Sequence, residues 1–143
     1  MSVAQLAARA ALVALVCCAC RSQEARRLEA EAHAMARRID ALRDAPNVAK
    51  PMLLSELEAA RCESPKVCAL KQACVEAYSH HLAAMSASGK ARALLADPDG
   101  GTAASIAAAQ ELNTAERLLT EAKGKSERCA SAQAALLREA RAR

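Results

Sequence analysis

Cysteines and histidines hold most of the reactive chemistry in this 143-residue chain, which carries seven of the first and three of the second. Cys62, Cys68, Cys74 and Cys129 lie in its body, while Cys17, Cys18 and Cys20 crowd its N-terminus. A structural metal site would need closely spaced thiolates of the CxxC kind, and the four inner cysteines form no such pair. They suit two disulfides instead, the usual reinforcement of small exported domains. Cys68 and Cys74 are separated by about 9 Å of rise and about 240° of rotation on one helix, so they cannot join each other. Two pairings remain. Cys62–Cys68 with Cys74–Cys129 staples a helix start and cross-links a hairpin. Cys62–Cys74 with Cys68–Cys129 fits a hairpin folded about Asp99, but it asks Cys62 to reach across about 13 Å of helix rise. The first pairing is the expected one.

Other residues invite chemical readings that do not carry far. His80 and His81 are neighbours, so on a helix they point about 100° apart and do not face one metal together. Glu76, one turn earlier, is placed to pair with His80. Asp97-Pro98-Asp99-Gly100 echoes the opening of a calcium loop, but the twelfth position is Ala108 rather than a bidentate glutamate. Those residues read as a turn. No serine, cysteine or lysine sits in a nucleophile motif, and only four glycines are present to form phosphate cradles. The sequence points to no catalytic residue, no cofactor-binding residue and no metal ligand.

The N-terminal cysteines have a different context. Arg9 is the single charge before the apolar run Ala10-Ala11-Leu12-Val13-Ala14-Leu15-Val16, which ends in Cys17-Cys18-Ala19-Cys20. A short basic leader, an apolar segment and a zone of small residues is the layout of a secretory signal. The run is about half the roughly 20 residues that span a bilayer. Leu15-Val16-Cys17-Cys18 resembles a bacterial lipobox, and through this segment alone the chain resembles an exported bacterial lipoprotein. The resemblance implies cleavage after residue 17 and joining of a cysteine thiol to diacylglycerol. Cys18 is the expected lipidated residue, because Leu15 stands three places before it. Cys20 is the alternative, favoured by Ala19 just before it and by cysteine parity.

Composition limits what such a protein does. A net charge of +4, with both signs interspersed, does not argue for nucleic acid. Trp and Phe are absent and Tyr78 is the one tyrosine, so the stacking platforms of single-strand binders are missing. Alanine supplies most of the apolar content. It forms helix readily but buries little area, so the helices should be strong and the core thin.

Helical periodicity runs through the rest. Ala25, Leu28, Ala32, Met35, Ile39 and Leu42 recur at threes and fours, with Ser22 a candidate N-cap and Asp44-Ala45-Pro46 a stop. The first half of this helix is free to act as a spacer from the lipid. Pro51 opens a short helix through Leu53, Leu54 and Leu57 towards Arg61. Ser64-Pro65 starts a third, with Val67, Leu70, Cys74, Tyr78, Leu82 and Met85 on one side and Gly89 as a point of weakness. After the turn at Asp97 to Gly101, Thr102 caps a last helix. Its stripe is Ala108, Leu112, Ala115, Leu119, Ala122, Ser126, Cys129, Gln133 and Leu136, in phase across Gly124.

These readings predict an all-α fold: an antiparallel helical bundle of three long helices and one short one, stapled by disulfides. They divide the chain into a signal peptide (1–17), an anchor region with the first helix (18–47) and a helical hairpin domain with four cysteines (48–143). The expected function is that of a membrane-anchored cell-envelope lipoprotein acting as a structural or protein-interaction module. Its partners would be membrane lipid, through the acyl anchor, and another envelope protein, bound on the apolar stripe of either terminal helix. An envelope ligand or metal sensor using His80, His81 and the cysteines is the alternative, and an enzyme is the remotest reading. The expected location is the bacterial envelope, on the periplasmic or cell-surface side.

Overall fold

The computed structural model describes the backbone of residues 3–142 and the side chains of residues 23–142. Four helices follow in order: α1 (Val3–Asp44), α2 (Lys50–Ala59), α3 (Pro65–Leu95) and α4 (Gly101–Arg141). Among the described residues there is no strand. The architecture is the expected helical bundle, with two disulfides.

The chain divides by height into a base and an arm. At the base, the second half of α1 lies against α2, the start of α3 and the end of α4. Ala32, Met35, Ile39 and Leu42 from α1 meet Leu54 and Leu57 from α2, Val67, Leu70 and Cys74 from α3, and Cys129, Leu136 and Ala140 from α4. Ile39 and Leu42 are fully buried, and burying side chains of that size stabilises by about 1.5–3 kcal/mol each. Glu31 lies beside the start of α3 and Arg43 beside Tyr78, so α1 runs parallel to α3 and antiparallel to α4. The N-terminal end of α1 and the α3–α4 turn are therefore at opposite poles.

Past Tyr78 only α3 and α4 continue, as a two-helix arm. Its seam has a period of seven: Leu70, Ala77, Ala84 and Ala91 on α3, and Ala108, Ala115, Ala122, Cys129 and Leu136 on α4, all buried. A seven-residue repeat keeps the seam facing its partner through a left-handed supercoil, and methyl-sized knobs let the two backbones approach closely. This differs from the sequence expectation. Leu112 and Leu119 belong to the predicted stripe of α4, yet they are 48% and 47% exposed. Tyr78, Leu82 and Met85 on α3 are only half-buried. With two helices in contact only a narrow strip is covered, and alanine fills it, so the larger side chains are left on its flank.

Local signals account for the helix ends. Pro65 occupies the first turn of α3 after Ser64, and Pro51 does the same in α2. Asp97 Oδ1 accepts the Asp99 N–H at 3.1 Å, a side-chain turn that reverses the chain. Gly101 has φ of 51°, a left-handed conformation, and a Cβ on Gly100 would stand 2.4 Å from that of Ala104, so two glycines close this turn. Three expected boundaries move. α1 is continuous through Ser22, α2 ends at Ala59 rather than Arg61, and α4 begins at Gly101, ahead of Thr102. Gly89 and Gly124 interrupt neither helix.

Candidate interaction surface

Cys62 and Cys68 are joined with their Cα atoms 5.4 Å apart, and Cys74 and Cys129 with theirs 4.8 Å apart. The first bridge is half-buried and fastens the segment between α2 and α3 onto the first turn of α3. The second is buried at the level where base gives way to arm. A hairpin centred on Asp99 would have set Cys129 nearer Cys68. In the structure α4 reaches further beyond the bridge than α3 does, which brings Cys129 to Cys74. Cys18 and Cys20, the expected lipidation sites, lie outside the residues whose side chains are described, as does the end of the expected signal peptide.

Helix ends at the base are capped from other helices. Ser64 makes no side-chain cap of its own. Instead the Glu31 carboxylate of α1 accepts the Glu63 N–H at 2.5 Å and the Ser64 N–H at 3.1 Å, placing an anion at the N-terminus of α3. At the other end of α1, Lys50 Nζ donates to the carbonyls of Leu42 (2.9 Å) and Arg43 (2.8 Å). Its ammonium, 5.9 Å from the centre of the Tyr78 ring, thus satisfies C-terminal carbonyls and complements the helix dipole while buried. Burial pushes the Tyr78 hydroxyl above the ordinary phenol range, opposed by the nearby Arg43 guanidinium.

Gln133 is buried where the predicted stripe put an apolar position. Its Nε2 donates to Asp40 Oδ1 at 2.9 Å, its Oε1 accepts from Arg43 Nη2 at 2.8 Å, and Arg43 Nη1 donates to Asp40 Oδ1 at 2.7 Å. The three groups close a ring of hydrogen bonds that fixes the height of α1 on α4. Such a ring is a positioning device, since both ends of the Gln133 amide are held by side chains of α1.

The histidines do not meet. His80 Nδ1 lies 2.9 Å from the Glu76 carbonyl oxygen, which can only accept, so Nδ1 carries a proton there. Nε2 lies 3.3 Å from Glu121 Oε2, and Glu121 is also held by Arg117. The expected pairing of the Glu76 carboxylate with His80 is replaced by an ion pair with Lys125 across the arm, which holds the Glu76 carboxyl below the usual carboxylate range. Among the described residues no group of three or more His, Cys, Asp or Glu is arranged to hold a metal ion.

The apolar side chains that the chain presents outward are unevenly placed. The large hydrophobic side chains most open to solvent are Val48, Met52, Leu95, Ile106, Leu112 and Leu119. All lie at the elbow between α1 and α2 or on the arm. The predicted stripe of α1 is taken up by packing within the chain from Ala32 to Leu42, whereas that of α4 is divided: its alanines, Cys129, Gln133 and Leu136 are buried, and Leu112 and Leu119 are left on the flank. That flank has two rows. One is Leu112 and Leu119 on α4, in line with Ser126 and Gln133 at intervals of seven. The other is Leu82 and Met85 on α3, in line with Tyr78. At the base α1 and α2 cover the continuations of both rows, Gln133 and Tyr78, and above the elbow none of the described residues does. No helix among the described residues is long and apolar enough to cross a membrane. Comparison of the chain with protein-family models, with curated proteins and with solved structures finds no match.

Proposed function

We propose that this chain is an exported, lipid-anchored protein of the bacterial cell envelope that works as a structural, protein-interaction module, with the arm as its contacting part. The observation that carries the reading is the flank of the arm, where Leu112 and Leu119 stand about half exposed beside Leu82 and Met85. Contiguous exposed apolar side chains on a helical surface mark contact sites. The lipobox-like Leu15-Val16-Cys17-Cys18 supports the anchor, and the two disulfides suit an oxidising compartment.

Intact mass of the full chain expressed in a bacterial host tests export and anchoring together. Loss of residues 1–17, addition of acyl chains and a gain of four hydrogens on reduction are expected. A full-length, unacylated, reduced product would defeat the reading. Contact through the arm is tested by placing a photo-crosslinking amino acid at Leu119 and, separately, at Glu58 on the base. Protein–protein products are expected from the first and not from the second.

A further inference from the structure

We infer that the occupant of the open flank of the arm is a second copy of this chain, packed arm against arm about a two-fold axis that makes the two α4 helices antiparallel. The inference rests on the interaction reading above and names its partner.

Charge carries it first. Glu116 and Lys123 are exposed on the same flank of α4 as Leu112 and Leu119, one turn either side of Leu119, and neither makes an ion pair with a described residue. Opposite charges seven residues apart on a helix are self-complementary under one arrangement. A two-fold axis perpendicular to α4 at the level of Leu119 sets Glu116 of each copy against Lys123 of the other, with Leu119 at the centre. Side-by-side parallel packing would instead bring each charge to its own kind. Both are symmetric solutions for identical chains, and the electrostatics selects the first.

Size agrees. The arm above the elbow is about 20 residues long and two helices wide, roughly 30 Å by 20 Å. That is roughly 600 Å², close to the ~800 Å² per partner of a standard stable interface once the elbow is added. A single docked helix would cover one groove, whereas a second hairpin covers the width and completes four helices from two. Gly89 adds to this. It follows Leu82 and Met85 on the flank of α3, and a Cβ there would meet nothing within 4 Å. The chain alone has no use for a glycine that weakens its helix relative to alanine, whereas a neighbouring backbone would.

The test uses the full chain in its host membrane, as two differently tagged copies with a photo-crosslinking amino acid at Leu119. A product joining the two tags, mapped to residues near Leu119 of the second copy, is expected. Glu116→Lys and Lys123→Glu should each reduce that product at least ten-fold, and the double exchange should restore it. Leu112→Asp with Leu119→Asp, analysed by light scattering with the crosslinker moved to Ser126, should abolish dimers while leaving the helical melting profile unchanged. A product with a different protein and none between tags would overturn the second copy while leaving the interaction reading intact. No product of either kind would overturn both. Single charge reversals without effect, or a double exchange that fails to restore, would overturn the two-fold register.

Discussion

Base and arm share α3 and α4, yet they are held together by different means. In the base, four helices enclose isoleucine, leucine, methionine and valine, and both helix ends of the contact are capped from a neighbour. In the arm, two helices share a strip of alanines, and each alanine methyl contributes only about 0.8 kcal/mol on burial. The base is stabilised by the volume it encloses, and the arm by the closeness of its backbones. One consequence is that opposite substitutions should damage the two regions: removing atoms harms the base, and adding them harms the arm.

The largest effect is expected at the junction. Cys74 and Cys129 close a loop with a sequence separation of 55, and chain entropy puts such a bridge at about 4 kcal/mol. Replacing both by alanine should lower the denaturant midpoint by a corresponding amount and loosen the arm from the base. Equal protection of base and arm amides from exchange in that variant would show that the bridge does not couple them. Next in size is Ile39→Ala, which leaves a cavity in the base and should cost about 2–5 kcal/mol in urea unfolding. Ala84→Leu, on the arm seam, should cost about 1–3 kcal/mol because the added atoms force the helices apart. Ala84→Gly should cost about 2 kcal/mol, about 1 through helix propensity and about 0.8 through the lost methyl, without forcing the helices apart. An Ala84→Leu protein as stable as the parent would refute the close-packed seam.

The smallest effect concerns pH. Glu76 is paired with Lys125 across the lower arm, and its carboxyl is held below the usual range by the Lys125 hydrogen bond and charge. A depressed acid contributes stability that is fully present above its unfolded pKa and is lost as pH falls through its folded pKa. Between neutrality and the ordinary glutamate range the parent should be flat, and below that range it should lose stability more steeply than Glu76→Gln. Parallel acid-unfolding curves for the two proteins would deny the pair a role.

Much of the base and the turn could be read from the chain itself. Pro51 and Pro65 mark helix starts, Asp97 to Gly101 a reversal, and the spacing of Met35, Ile39 and Leu42 a buried face, because each signal acts within a turn or two of itself. The seam of the arm was not legible. In an alanine-rich helix every stripe contains alanine, and the eye follows the leucines at 112 and 119, which the two-helix geometry leaves outside. Gln133 was placed on the buried stripe, but the ring it closes was not legible, since its partners Asp40 and Arg43 come from the far end of the sequence. The capping roles of Glu31 and Lys50 carry no sequence signal for the same reason: what they cap is set by the height of one helix against another, a quantity no single segment contains.

The direction of α1 has one more consequence. Because it climbs alongside α3, the chain enters at the pole opposite the arm tip. Two copies joined antiparallel by their arms would send their N-terminal ends in opposite directions, with residue 23 of each about 80 Å apart at 1.5 Å of rise per residue. With the lipid anchor proposed above, such a pair would be a strut tethered at each end, lying flat along one sheet of lipid or standing between two sheets that face each other and setting the gap between them.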